Sequence, residues 1–294
     1  MEFLSYIISG ISLGSVYAII ALGYTMVYGI SKMLNFAHGD VIMVGGYMSF
    51  CGTMYLGLNP WLGLLLAMAV CTVLGIVIEA LAYRPLRGTG TLAVLITAIG
   101  VSYFLQNAAL LIWGSAPKVF TSMFDKVETY HFFDGSLSMA PETLYTIIAC
   151  VIIMVGMTLF TEKTKIGKAM RAVSEDNGAA QLMGINVNTT ISMTFAIGSC
   201  LAAVAGVLLC SAYPTLMPTT GAMPGIKAFT AAVFGGIGSI PGAMIGGLIL
   251  GIIEIFGRAY ISTELSDAIV FSVLIIVLLV KPTGLLGKKI NEKV

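Results

Sequence analysis

Charge is what this chain has least of. Charged residues make up 10% of its 294 positions, where a soluble globular domain carries roughly 25%. So few charges cannot clothe a surface that faces water on all sides, which excludes an ordinary soluble enzyme. The net charge is +1, and phosphate backbones need concentrated Lys and Arg, so nucleic acid is excluded as a partner. The histidines are His38 and His131, which leaves few candidates for the partner a serine nucleophile needs. The five cysteines (Cys51, Cys71, Cys150, Cys200 and Cys210) all fall inside apolar runs and none forms a C-x-x-C pair. That argues against a disulfide framework or a bound metal and for small packing residues. No G-x-x-x-x-G-K-[ST] string occurs, so the chain carries no phosphate-cradling loop for ATP. If ATP drives it, another subunit must hold the nucleotide.

What is abundant is hydrocarbon: 58% of residues are hydrophobic and the mean hydropathy is +0.98. A helix needs about 20 mostly apolar residues to cross a bilayer. Runs of that kind fall at 4–29, 38–57, 61–82, 91–112, 143–161, 189–212, 241–257 and 262–280, with a shorter apolar piece at 225–236. They are apolar all round, which excludes the alternating strands of a membrane barrel. The fold expected is an all-α integral membrane protein with about eight transmembrane helices plus one short discontinuous or re-entrant helix, forming one domain over 1–294. Glu2 is the only charge before Lys32, so the first run is expected to be a span rather than a cleaved signal, which has a basic start and a shorter core.

Orientation is set by Lys and Arg. Arg84 and Arg87 lie in the 83–90 turn, Lys163, Lys165, Lys168 and Arg171 in the 162–188 loop, and Lys281, Lys288, Lys289 and Lys293 in the tail. All three are expected on the cytoplasmic side. The 113–142 segment sets two lysines against Asp125, Glu128, Asp134 and Glu142, which suits the outer side. Parity then requires 225–236 to run inward as well, ending at Gly235, Gly236, Gly238, Pro241 and Gly242. Backbone so rich in glycine cannot face lipid, because its amides would lack partners. Residues 225–257 therefore read as a short helix, a glycine turn and a full span.

Several strings invite a chemical reading. Gly10-Ile11-Ser12-Leu13-Gly14 matches the G-x-S-x-G of serine hydrolases, but it lies in a helical run without a strand-turn-helix context. The same glycines spell G-x-x-x-G, which lets helices approach closely, as do Gly242/Gly246 and Gly247/Gly251. Glu254 and Arg258 sit four apart on one helix and read as mutual neutralisation near the membrane edge, with a proton relay as the alternative. No other carboxylate is expected in mid-helix, which counts against a proton-driven carrier. Asn35, His38 and Asp40 cluster between two spans beside Gly39 and Gly45-Gly46. They form either an ordinary turn or a helix break on a translocation path, as transporters use.

The most polar long stretch is "MRAVSEDNGAAQLMGINVN", residues 170–188. Asp176 can cap a helix there, Ala179, Ala180, Leu182 and Met183 fill about two turns, and Gly184 suits the left-handed position after a helix end. The result is either a plain connector or a knob presented to a soluble partner. "EDNGAAQLMGINVN" followed by "TFAIGSCLAAVAGVLL" resembles the cytoplasmic coupling loop and next span of ABC importer permeases. "NFAHGDVIMVGGYMSF", "AYRPLRGTGTLAVLITAIGVS" and "AAVFGGIGSIPGAMIGGLILGIIE" resemble the branched-chain or hydrophobic amino acid branch of that family. Gly178 departs from the pattern, since many permeases carry Glu or Ala there. The resemblance implies a multi-pass subunit of the bacterial inner membrane with a cytoplasmic C-terminus. Its partners would be a second homologous permease, two cytoplasmic ATPases that bind ATP and Mg, and an extracytoplasmic amino-acid-binding protein. It implies no cofactor and no catalysis in this chain. Contact with the ATPase would fall on Arg171, Glu175, Asp176, Ala179, Ala180, Gly184 and Ile185, the two alanines entering a cleft. A gated channel or secondary carrier working without ATPases is the competing class.

Overall fold

The computed structural model describes residues 2–124, 127, 129–132 and 137–287. Asp125, Lys126, Glu128 and Asp134 of the outer segment and Lys288, Lys289 and Lys293 of the tail lie outside the described residues. The element order is α1 (Glu2–Ser31), α2 (His38–Met54), α3 (Pro60–Ile78), α4 (Thr91–Trp113), β1 (Lys118–Val119), β2 (Tyr130–Phe132) and β3 (Leu137–Met139). There follow α5 (Pro141–Lys163), α6 (Lys165–Glu175), α7 (Asn177–Leu182), α8 (Val187–Ala212), β4 (Thr215–Leu216), α9 (Ala222–Gly235), α10 (Ile240–Tyr260) and α11 (Ser266–Val280). The helix of α3 continues as a π-helical turn, Glu79–Tyr83, and a 3-10 turn, Arg84–Leu86.

Among the described residues, six helices are long and apolar enough to cross a membrane: α1, α3 with its continuation to Leu86, α4, α5, α8 and α10. The all-α membrane fold is as expected, with six full spans among the described residues and shorter helices where the others were expected. The run at 38–57 yields a 17-residue α2 and the run at 262–280 a 15-residue α11. At 1.5 Å per residue these cover about 26 and 22 Å, short of a hydrocarbon core of about 30 Å. The short apolar piece is the 14-residue α9, joined to α10 through a turn at 236–239.

Local chemistry explains the boundaries. Asn59 accepts from the Trp61 amide ahead of Pro60 in the first turn of α3, and Ser239 accepts from the Gly242 amide ahead of Pro241 in α10. Proline costs nothing where the helix has no bond to give. Gly236 and Gly238 turn the chain with φ of 105° and 93°, a region open to glycine. Phe234 and Gly235 would end α9 with idle carbonyls, but Leu285 and Leu286 donate their amides to them, each at 2.9 Å.

α1 and α8 form the middle of the bundle. α1 runs antiparallel to α10, and the pairing is backbone on backbone: a Cβ on Gly251 would stand 2.2 Å from the Gly14 nitrogen, and one on Gly14 would stand 2.7 Å from Leu248 Cα. The G-x-x-x-G strings are thus packing seams. α1 also opposes α8, with Gly198 beside Val27 and Gly23. At one end of the bundle, β1 pairs with β4 and Ser122 donates to Glu142. At the other end, Arg87 reaches Asn188 and Arg84 reaches Ser192 at the start of α8, and Gly29 meets Gly238. The 83–90 turn, the 162–188 loop and the described part of the tail therefore share one end.

Candidate functional site

α1 stops at Ser31, and Lys32 takes a positive φ of 55°. Residues 32–37 form a break before α2 restarts at His38. Asn35, His38 and Asp40 are buried, at 5%, 1% and 1% exposure. They point in different directions. Asn35 accepts from the Tyr83 hydroxyl at 2.8 Å, whereas Asp40 accepts from the Gln106 amide at 2.8 Å on α4. The His38 ring lies 4.6 Å from that of Tyr24 and fills a notch at Gly23, where a Cβ would fall 2.4 Å from Nε2. Asn35 and His38 line a common cavity with Tyr24, Tyr28, Phe229 and Ile237, but Asp40 does not. Its volume is about 10 Å³, room for one water. α9 begins at the same level: Gly39 touches Gly221 and Gly225, backbone against backbone. Two short helices thus begin against each other at the depth of Gly23, inside the bundle.

The turn after α9 divides by burial. Gly235, Gly236 and Gly242 are buried, while Gly238 and Pro241 are exposed. Gly235 and Gly242 meet so closely that a Cβ on Gly235 would stand 1.9 Å from the Gly242 carbonyl oxygen.

In the 162–188 loop, Thr164 caps α6 through the Gly167 amide. The Asp176 carboxylate accepts from the amides of Gly178 (2.7 Å) and Ala179 (3.0 Å), starting α7. Six residues later the helix ends: Gly184, at φ 83°, donates to Gln181, and Ile185 donates to Ala180. Arg171, Glu175 and Ala179 are exposed. Ala180 is not, at 4%, so it faces its own protein, against the expectation that both alanines point outward. The outward apolar residues are Leu182 and Met183, 90% and 83% exposed. A short helix presents roughly half its positions outward, so neighbouring alanines cannot both serve as the knob.

Two ionic clusters go beyond the expected Glu254–Arg258 pair. Glu79 has no exposed side-chain surface and pairs with Arg84 and Arg87, while Ser192 donates to it at 2.7 Å. It corrects the expectation that no further carboxylate sits within a helix. Glu254 is equally buried, and its partners extend beyond Arg258. Lys227 of α9 donates to it at 2.7 Å and also reaches Asp267 at 2.5 Å, and Tyr17 donates at 2.9 Å. A lone lysine in the apolar piece 225–236 was the signal available, because an unpaired ammonium is costly inside a membrane.

A bundle of long apolar helices, with two shorter ones starting inside it and a capped polar loop at one end, is the build of a membrane permease. The solved structure described as "PsaBC from Streptococcus pneumoniae in complex with Fab" shares the fold at a TM-score of 0.50 and 14% identity, over 94% of this chain and 91% of that one. The family model described as "Branched-chain amino acid transport system / permease component" matches residues 6–278, and the chain belongs to that family. Among its relatives is the "High-affinity branched-chain amino acid transport system permease protein LivH" of Escherichia coli (strain K12), 48% identical over 305 residues, covering 100% of this chain and 98% of that one. The corresponding protein BraD of Pseudomonas aeruginosa is 45% identical over 304 residues, with the same coverage.

Proposed function

We propose that this chain is the membrane-spanning subunit of an ATP-driven importer whose cargo is branched-chain or similarly hydrophobic amino acids. It works with a second, related permease, two ATPases that hold ATP and Mg, and an extracytoplasmic binding protein. Membership of the family supports the transport role, and the printed names of the relatives support the cargo. The end of the bundle bearing Arg84, Arg87, Lys163, Lys165, Lys168, Arg171 and Lys281 faces the cytoplasm by the bias of Lys and Arg, and the 113–142 segment faces out. The C-terminus is then cytoplasmic.

The observation that carries the coupling role is α7. Two large apolar side chains, Leu182 and Met183, stand almost fully exposed on a capped helix in a polar loop. A groove on an ATPase covers them, with Arg171, Glu175 and Ala179 at its edge. ATP binding closes the ATPases and displaces α7, and the bundle changes the side to which it opens. Because this coupling is a free-energy linkage, cargo loading alters nucleotide affinity by the same factor. Asn35 and His38, at the break, lie on the path. Asp40 contributes by holding α2 to α4.

The test uses the whole complex in proteoliposomes. Leu182→Asp should insert and assemble its own helices as before, because the side chain lies outside the bundle. Docking should lose about 2 kcal/mol or more, and ATP-driven uptake and the ATPase stimulated by loaded binding protein should fall together. Uptake at the parental rate would reduce α7 to a connector. Uptake by the permease without ATPases would make it a channel or carrier.

A further inference from the structure

The loop at α7 and the break at Asn35 are joined by a series of backbone and side-chain contacts. We propose that Glu79 and Tyr83 are positioning residues that carry movement of the loop into the break, a role that rests on the coupling function of α7. The series starts where α7 ends. Ile185 donates to Ala180, and the Asn186 side chain caps α8 through the Thr189 amide, so α7 and the first turn of α8 share no slack linker. In the next turns, Asn188 accepts from Arg87, and Ser192 donates to Glu79 at 2.7 Å while accepting from Arg84 at 2.9 Å. These bonds clamp the start of α8 to residues 79–87. Within that segment Tyr83, fully buried, lies 5.2 Å from the Phe195 ring of α8 and donates to Asn35 at 2.8 Å. The Asn35 carbonyl in turn accepts from the His38 amide at 3.2 Å, where α2 starts.

The clamped segment is built to change. A five-residue π turn runs straight into a three-residue 3-10 turn, one wider and one tighter than an α-helix. Converting the π turn to α shifts the register by one residue, a rotation of about 100°, and lifts Tyr83 off Asn35. Further along α3 there is no such freedom. A Cβ on Gly75 would stand 2.2 Å from the Ser199 hydroxyl and 2.8 Å from the Phe195 carbonyl, so α3 and α8 are locked backbone to backbone. Movement entering through α8 is therefore directed to residues 79–87, which reach the break through the hydrogen bond from Tyr83 to Asn35.

Contact alone is not coupling, so the test must separate the two. Tyr83→Phe deletes one hydrogen bond and keeps the ring, and Ser192→Ala removes the hydroxyl that ties α8 to Glu79. Each is assembled with the ATPases and binding protein in proteoliposomes. Uptake by the unaltered complex is scored first, so that failure of the transport role is distinguishable from failure of the relay. We expect uptake per ATP hydrolysed to fall about fivefold or more, with stimulated ATPase within about twofold of the parent. The double variant should be no worse than the worse single, as two links of one series require. Parallel loss of uptake and ATPase, or no loss of either, overturns the proposal. Spin labels at exposed Lys32 and Ile245 in the otherwise unaltered complex give a readout that depends on neither variant folding. Trapping with ATP should change their separation, and an unchanged separation equally overturns it.

Discussion

Two carboxylates in this molecule have the same surroundings on paper and different ones in space. Glu79 and Glu254 are both without exposed side-chain surface, each pairs with two cations, and each accepts one hydroxyl. Around Glu79 the cations come from the following turns of the same chain segment, and Arg84 retains 43% of its exposure. Around Glu254, besides Arg258 one turn on in α10, the partners come from separate helices: Tyr17 on α1, Lys227 on α9, and Asp267 on α11 through Lys227. Lys227 is 5% exposed. Ion pairs in contact with water gain little and rearrange cheaply. Desolvated ones are costly to form and costlier to leave half-made. The first cluster is therefore suited to shifting between arrangements, and the second to holding four helices in one.

The largest effect expected from this contrast belongs to Lys227. Lys227→Met leaves Glu254 with Arg258 and strands Asp267, and removing one partner of a buried pair costs about 3–5 kcal/mol. The thermal midpoint of the detergent-solubilised complex should fall sharply. Part of the loss should return in Lys227→Met combined with Asp267→Asn, because the excess negative charge of the cluster is then gone while Arg258 keeps Glu254. Arg87→Ala should cost less, about 2 kcal/mol, since Arg87 is 19% exposed and Arg84 still faces Glu79. Arg84→Ala should change the midpoint least, and what change there is should vanish in added salt. Were Arg84→Ala as damaging as Lys227→Met, the two clusters would be equivalent and the contrast would be void.

Much of this fold was legible where the cause is local. Asp176 before the α7 amides, Gly184 after its end, the glycine turn past Gly235 and the ends of α4 and α8 all follow from residues within one turn of each other. The miss at Ala180 has the same scale but a different cause, since which face of a two-turn helix turns inward depends on α6 and α8 behind it. The length of α2 was overstated because apolar composition persists past the helix end, as at Tyr55 and Leu56, and that of α11 because its run was begun at Ser262, in the turn that precedes the helix. The π turn at Glu79 left no mark in composition. Glu79 there accepts from Ser192, 113 positions away, and Lys227 finds Glu254 across 27. Within the candidate site, the cluster at 35–40 was visible as a cluster. That Asn35 and His38 share a cavity while Asp40 turns to α4 depends on where Tyr83, Tyr24 and Gln106 arrive.

The amides of Leu285 and Leu286 have a consequence for the order in which the protein is made. They close the carbonyls of Phe234 and Gly235, yet they leave the ribosome only after α10 and α11 have been synthesised. Until then α9 ends in open acceptors beside a glycine turn, and an idle backbone group has no partner in lipid. The newborn chain must therefore keep that end in contact with water or with the insertion machinery while two more helices pass. The last described residues act as a late fastener, so a protease or chaperone that senses loose ends would find its target here, in the interval before synthesis is complete.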